Sequence, residues 1–165
     1  ALLDWQAKNG YTEAEFEVAL ERAIGAAWMR DQITAGVAAT ADQVHVLQIL
    51  MPTQAEADQM YADLQSGKDF EQLAAKVDPI TNGELGWFPK GYLSDPKIEE
   101  AAFSLQAGQY SAVIQTKVGF HILYLVERDA EHPLLPDAKR VLQTKAVQDW
   151  LIERWKQSDI QILVQ

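Results

Sequence analysis

Residues 82–125 constrain the fold of this chain more than any other stretch. The segment reads NGELGWFPKGYLSDPKIEEAAFSLQAGQYSAVIQTKVGFHILYL. Glycines mark tight turns along it, Asp95-Pro96 begins a short helix, and two short β-runs meet at Val118-Gly119. In the closing run, side chains alternate between two faces of a strand. One face carries His121, Leu123 and Leu125, and the other carries Phe120, Ile122, Tyr124 and Val126. The segment therefore predicts a compact apolar groove with one histidine in its wall.

The composition excludes several kinds of chemistry. The 165 residues include no cysteine, which removes disulfides, thiolate metal sites and a cysteine nucleophile. The three histidines are scattered without metal-ligand spacing, and the chain carries no phosphate-binding loop, serine elbow or HExxH motif. A net charge of −10 argues against a nucleic-acid or anionic-membrane surface, because such partners select clustered Lys and Arg. We therefore expect no metal, no cofactor and no nucleic acid.

Helical patterns flank the central segment on both sides. Thr12 begins a helix with a capping box, and apolar residues at helical spacing give this helix one apolar face. Residues 137–157 form a second long helical pattern, which begins at Asp137 and also carries an apolar stripe. Neither helix can bury its stripe alone, so we expect the two helices to pack together as a helical module. The expected core of that module contains Trp28, Trp150 and Trp155.

The chain between these helices has the pattern of a separate domain. Residues 44–51 predict a strand, and Thr53 and Asp69 each begin a short capped helix before the central segment. A short polar connection precedes this domain, and residues 128–136, with their prolines, predict a linker after it. The predicted protein is α+β. Its segments are an N-terminal helical segment 1–43, a central domain 44–127, and a linker with a C-terminal helix 128–165, in which residues 160–164 could form a final strand.

Four motifs in the central domain resemble the parvulin (rotamase) family of PpiC-type peptidyl-prolyl isomerases. They are Asn82-Gly83-Glu84-Leu85-Gly86-Trp87-Phe88, Glu99-Glu100-Ala101-Ala102-Phe103-Ser104-Leu105, Ala107-Gly108-Gln109-Tyr110-Ser111 and Gly119-Phe120-His121-Ile122-Leu123. The flanking helices are similar to those of extracytoplasmic foldases of the SurA and PrsA type. The resemblance implies a small antiparallel sheet surrounded by helices, rotamase activity, and a periplasmic or cell-surface location.

The resemblance also implies which residues form the site. Parvulins grip the proline ring with an apolar wall, and catalysis of amide rotation needs such a dry pocket with a few placed polar groups. The histidine of the last strand corresponds to His121, and a hydroxyl residue of the preceding strand corresponds to Thr116. The wall would consist of Leu85, Phe88, Leu93 and Ile98.

Three features depart from the family pattern. Gln48 stands where the first strand usually has a histidine, and His45 cannot replace that histidine, because side chains three residues apart in a strand point to opposite faces. Ile98 stands where the family usually has an aromatic residue. The loop of residues 78–84 is several residues shorter than usual, and Asp78 is its only carboxylate near the predicted groove.

Three functions fit this sequence. The first is a weak peptidyl-prolyl isomerase and foldase, with His121, Gln48 and Thr116 as its catalytic set. The second is a non-catalytic chaperone or peptide-binding module that retains the groove, and the third is a scaffold whose helices mediate dimerisation. The expected partners are unfolded or proline-containing polypeptides. The chain begins at Ala1 within a helical pattern, so we also expect an upstream export or membrane-anchor segment outside it, and its helices could mediate a homodimer.

Overall fold

The computed structural model describes residues 2–158, apart from the side chain of Leu3. The predicted final strand at residues 160–164 lies outside the described residues. Within them, the helices are α1 (Leu2–Lys8), α2 (Glu13–Ala35), α3 (Gln54–Gln65), α4 (Phe70–Val77), α5 (Pro96–Ser104) and α6 (Pro136–Lys156). The strands are β1 (Thr40–Met51), β2 (Glu84–Pro89), β3 (Ile114–Gln115) and β4 (Phe120–Pro133). None of the described helices has the length and apolarity that a membrane crossing requires.

The four strands form one antiparallel sheet in the order β2-β1-β4-β3. The long strands β1 and β4 pair at its centre, and this pairing places Leu50 opposite His121 and Gln48 opposite Leu123. The short strand β3 adds to the outer edge of β4, where Ile114 also lies opposite His121. His121 is therefore flanked on both sides by neighbouring strands.

Each face of the sheet carries its own apolar core, because strand side chains alternate between faces. The first core consists of Val44, Val46, Phe88, Ile98, Ala102, Leu123 and Leu125. The second core consists of Leu47, Ile49, Leu64, Phe70, Leu73, Ala74 and Ile122. Helix α5 contributes to the first core, whereas α3 and α4 contribute to the second. The alternation predicted for the last strand is confirmed, since Leu123 and Leu125 lie in one core and Ile122 in the other.

Most helices begin at the capping residues that the sequence predicts. The side chains of Thr12, Thr53, Asp69 and Asp95 each accept a hydrogen bond from a backbone N–H in the first turn of the helix that follows. Helix α6 differs from the prediction because it begins at Pro136, one residue before Asp137. The Asp137 carboxylate accepts a hydrogen bond from Arg140 at 2.7 Å, within the first turn.

The described chain divides into two compact units. One consists of residues 39–142, and the other of residues 2–38 and 143–158. The first unit is longer than the predicted central domain at both ends. Strand β1 begins at Thr40, within the polar connection expected before residue 44, and β4 continues through most of the segment that we expected to be a linker. The side-chain amide of Gln43 donates to the carbonyl oxygens of His132 and Pro133, which ties this extension to β1. Pro133 lies at the end of its strand, where a missing N–H is tolerated.

The second unit is helical. Helix α1 packs against the start of α2 through the rings of Trp5, Tyr11 and Phe16. Helices α2 and α6 are joined by a hydrogen bond from Gln143 Nε2 to the Thr34 carbonyl oxygen at 3.3 Å. Of the three tryptophans expected in a shared core, Trp28 and Trp155 are 59% and 64% exposed, and Trp150 is half-buried. The apolar stripes of these helices thus contribute to the surface of this chain.

Candidate functional site

Three hydrogen-bonded side chains form a row on the face of the sheet that carries the first core. His121 Nδ1 lies 3.1 Å from Gln48 Oε1, and His121 Nε2 lies 2.9 Å from Thr116 Oγ1. His121 shares its face of β4 with Leu123 and Leu125, both members of the first core. The fold therefore brings together the three polar residues that were singled out from the sequence, although Gln48 and His121 are 73 positions apart.

Both ring nitrogens of His121 have a side-chain hydrogen-bond partner. Gln48 presents its amide oxygen, so a neutral imidazole donates through Nδ1 and accepts at Nε2 from the Thr116 hydroxyl, whose single proton also has the Gly119 carbonyl oxygen as an acceptor at 3.3 Å. The Thr116 oxygen accepts in turn from the N–H of Val118 at 3.2 Å. A neutral imidazole protonated at Nδ1 is compatible with both of its ring contacts.

Burial also favours the neutral form of His121. The residue is only 6% exposed. Burial lowers the pKa of the imidazole below its ordinary value, because a charged ring is poorly solvated there, and the negative charge of Asp95 opposes this shift in part. His121 is therefore an uncharged hydrogen-bonding group at neutral pH.

We expect acidification to destabilise the fold through His121. Since the pKa of His121 is lower in the folded state than in the unfolded chain, the unfolded chain binds more protons as the pH falls. The stabilisation is complete above about pH 6.5 and is lost progressively below it. The free energy of unfolding should be measured against pH for the protein and for His121→Gln, which cannot titrate. The difference between the two should shrink on acidification, and a constant difference would contradict the direction of the pKa shift.

The four predicted wall residues all belong to the first core or pack against it. Phe88 and Ile98 are buried members, with 0% and 6% exposure. Leu85 and Leu93 pack against the core while remaining partly exposed. Leu85 and Leu93 can therefore contact a ligand directly, whereas Phe88 and Ile98 support them from beneath. An aliphatic side chain at position 98 suits this buried role.

His45 lies on the opposite face of the sheet. Its ring stacks on Trp87 with centroids 5.5 Å apart, and its Nε2 lies 2.7 Å from Glu84 Oε1. Trp87 also stacks on His132 at 3.9 Å. These contacts agree with the expectation that His45 does not replace the histidine usually found in the first strand.

The Asp78 carboxylate is engaged in hydrogen bonds within its own turn. Its carboxylate accepts hydrogen bonds from the N–H groups of Ile80 and Thr81, at 3.0 and 3.2 Å, and from the Thr81 hydroxyl. The Thr81 hydroxyl and these N–H groups lower the pKa of Asp78. The loop meets the site through its backbone instead, because the Gly83 carbonyl oxygen accepts from the N–H of Gln48 at 2.7 Å.

Two acidic residues near the site had no predicted role in the groove. Asp95 caps α5, and its charge acts on His121. Glu99 accepts hydrogen bonds from the loop that carries Leu93. Acidic residues are common in the first turn of a helix, so the sequence offers no signal that separates these two from others. Elsewhere, residues 2–158 contain no group of three or more His, Asp or Glu side chains suited to a metal ion.

A four-stranded antiparallel sheet with an apolar core and a histidine held between two polar side chains defines a parvulin-like peptidyl-prolyl isomerase domain. Residues 45–127 match the family model of the PPIC-type PPIase domain, also called rotamase. The chain belongs to this family. The resemblance expected for residues 44–127 is thereby confirmed.

Similar curated proteins are named as foldases and chaperones. The foldase protein PrsA of Halalkalibacterium halodurans is 29% identical over 130 residues, which cover 73% of this chain and 39% of that protein. The periplasmic chaperone PpiD of Haemophilus influenzae is 34% identical over 93 residues, which cover 53% of this chain and 15% of that protein. This chain thus spans less than half the length of these relatives.

Solved structures share the fold. The crystal structure of peptidylprolyl isomerase (PrsA) from Bacillus cereus aligns over 99% of this chain and 70% of its own, with a TM-score of 0.66 and 23% identity. The structure of PrsA from Bacillus anthracis aligns over 98% and 82%, with a TM-score of 0.52 and 24% identity. The predicted α+β class with a parvulin-like domain between terminal helices is confirmed by this likeness.

Proposed function

We propose that this chain is a weak peptidyl-prolyl cis/trans isomerase that acts as a foldase on unfolded or exported polypeptides. The observation that carries the proposal is the row of Gln48, His121 and Thr116 beside the first core. Amide rotation has a barrier of roughly 18–20 kcal/mol and needs no covalent chemistry. It needs an apolar site for the ring and polar groups that favour the twisted amide over the planar one. Membership of the PPIC-type PPIase family supports the same reaction.

The site residues divide into two roles. His121, uncharged and held from both sides, shapes the electrostatic environment of the twisted amide, and Gln48 and Thr116 complete its hydrogen bonding. Gln48 orients the ring but cannot take up a proton, because an amide does not titrate. This difference from a histidine pair is the reason we expect weak activity. The proline ring is held by Leu85 and Leu93, and the buried Phe88 and Ile98 support this wall from beneath.

A second candidate function is a non-catalytic chaperone or peptide-binding module. Gln48 favours this function, since the substitution of the usual histidine leaves the apolar core intact while removing one titratable group from the site. One relative is also named as a chaperone. The groove would then bind proline-containing segments without accelerating their isomerisation.

Cis/trans exchange of short X-Pro peptides, followed by NMR with and without the protein, separates these functions. Exchange well above the uncatalysed rate, which corresponds to tens to hundreds of seconds, supports the isomerase. Chemical-shift changes at Leu85, Leu93 and their neighbours without acceleration support the binding module. The absence of both responses would contradict both functions and leave the helical unit as the candidate client-binding part.

We further propose an extracytoplasmic location, a membrane anchor outside this chain, and a homodimer formed through the helices. The location is supported by the relative that is named as periplasmic.

The dimer is supported by exposed apolar side chains on α2 and α6, including Ile24, Trp28, Leu151 and Trp155. Sedimentation equilibrium tests the dimer, and a single monomeric species across the micromolar range would argue against it.

A further inference from the structure

The Glu99 carboxylate binds three consecutive backbone N–H groups. Gly91 donates to both carboxylate oxygens at 2.8 Å, Tyr92 donates to Oε2 at 3.1 Å, and Leu93 donates to Oε2 at 3.2 Å. Glu99 lies in the first turn of α5, and its three donors lie in residues 90–95, which connect β2 to α5. Hydrogen bonds to a carboxylate are roughly twice as strong as bonds between neutral groups. The side chain therefore clamps this loop.

The loop has few other means of satisfying these N–H groups. Tyr92 shares its N–H with the Pro89 carbonyl oxygen at 3.3 Å, and in the described structure Glu99 is the partner of the other two. Gly91 has a φ of +86°, so the chain turns sharply where the clamp begins. Successive N–H groups that converge on one side form a concave anion-binding site and cannot bond to one another. The shape of the loop thus depends on an acceptor at its centre.

The clamped loop carries part of the candidate groove. Tyr92 and Leu93 pack against the first core, and Leu93 is one of the two wall residues that keep exposed surface. The same loop ends at Asp95, whose charge acts on His121. A shift of the loop would therefore displace Leu93 and, at the same time, change the electrostatic potential at His121.

We infer that Glu99 is a positioning residue: its carboxylate holds residues 91–93 so that Leu93 stands where it contacts the proline ring. Glu99 itself does not touch the substrate. This inference rests on the proposed function of the groove. Without the clamp, Leu93 would occupy its binding position for only a fraction of the time, and the apparent Kd for peptide would equal the Kd of the positioned state divided by that fraction.

The test compares Glu99→Gln with Glu100→Gln. The amide at position 99 keeps the size of the side chain, but it replaces one acceptor oxygen with an NH₂ group that meets the Gly91 N–H donor to donor. We expect faster hydrogen exchange at the N–H groups of residues 91–93 and a Kd for a short Ala-Pro peptide that is about fivefold higher. Glu100 is exposed and is the next residue of α5, so Glu100→Gln makes the same charge change outside the clamp. This control should leave the hydrogen exchange of residues 91–93 and the Kd for the peptide unaltered.

A double-mutant cycle with Leu93→Ala separates positioning from general stability. If Glu99 acts through Leu93, then Glu99→Gln should lose most of its effect on the Kd once the Leu93 side chain is gone. If Glu99→Gln changes the Kd by the same factor with and without the Leu93 side chain, the inference is overturned. If Glu99→Gln does not fold, Glu99→Asp takes its place, because it keeps the charge and withdraws the carboxylate by one methylene group.

The outcomes distinguish this inference from the proposed function. A wild-type protein that binds no X-Pro peptide overturns both. A wild-type protein that binds the peptide, together with a Glu99→Gln variant that binds it equally well, overturns the positioning role alone. Weaker binding in Glu99→Gln, with no change in Glu100→Gln and a non-additive cycle, supports both.

Discussion

Replacing Gly83 with alanine is expected to destabilise the fold by about 3 kcal/mol or more and to disturb Gln48 at the same time. A Cβ atom at this position would lie 2.2 Å from the Gln48 carbonyl oxygen and 3.1 Å from Ala74 Cβ. The first neighbour is backbone in the central strand β1, so it cannot move away without breaking the strand pairing. Gly83 also has a φ of +76°, which an L-residue adopts at a cost of about 1–2 kcal/mol.

Gly86→Ala is the matched control for this prediction. Gly86 has nearly the same φ, +74°, but a Cβ atom there would meet nothing within 4 Å. The variant should therefore show only the backbone strain, about 1–2 kcal/mol. Chemical denaturation measures both variants, and the NMR signals of the Gln48 side-chain amide report on the site. Equal destabilisation by the two variants would show that conformation alone, and not the close approach to β1, requires Gly83.

The features predicted correctly from the sequence depend on short separations along the chain. The caps at Thr12, Thr53 and Asp69 bond to N–H groups three residues ahead, so their pattern is visible within one turn of helix. The two faces of β4 follow from alternation alone. His121 stood out because it lies within an ordered set of motifs, and its face was set by the same alternation.

The features that were missed depend on contacts between distant parts of the chain. Strand β2 was not predicted, because the glycine and proline within residues 84–89 are turn signals in isolation. The extension of β4 beyond residue 127 was not predicted either, since its pairing with the start of β1 joins residues about 90 positions apart. The role of Glu99 depends on a loop shape that exists only once β2 and α5 are in place. Local sequence patterns predict most helices and strands, whereas contacts between side chains depend on packing between distant parts of the chain.

The apolar stripes of α2 and α6 show a different limit. Their helical spacing was visible in the sequence, and it led to the expectation of a mutual core. A stripe predicts that a helix has an apolar face, but it does not specify what covers that face. In the described chain, Trp28 and Trp155 stay largely exposed, and a hydrogen bond joins Gln143 of α6 to Thr34 in the last turn of α2. The proposed homodimer is one way in which such surfaces are covered.

His121→Ala is expected to lower the isomerase activity by about tenfold or more, whereas His45→Ala should change it little. The imidazole of His121 is held between Gln48 and Thr116 on the face of the first core, so its removal takes away the central polar group of the site. His45→Ala is the matched control, because it also removes a histidine from a paired strand of the sheet. The His45 ring makes a 2.7 Å contact with Glu84, but it lies on the opposite face. Exchange rates of an X-Pro peptide, measured at equal concentrations of folded protein, give the comparison.

The stability of each variant must be separated from its activity. Loss of the buried His121 ring leaves the Gln48 amide oxygen without its partner and is expected to destabilise the fold by about 1–3 kcal/mol. Thermal unfolding therefore sets a temperature at which both variants remain folded. If the two variants then lose activity to the same extent, the assignment of the reaction to the His121 face is wrong, and the effect reflects the sheet as a whole. If His121→Ala alone loses activity but still binds the peptide, the histidine acts on the twisted amide and the apolar wall alone suffices for binding.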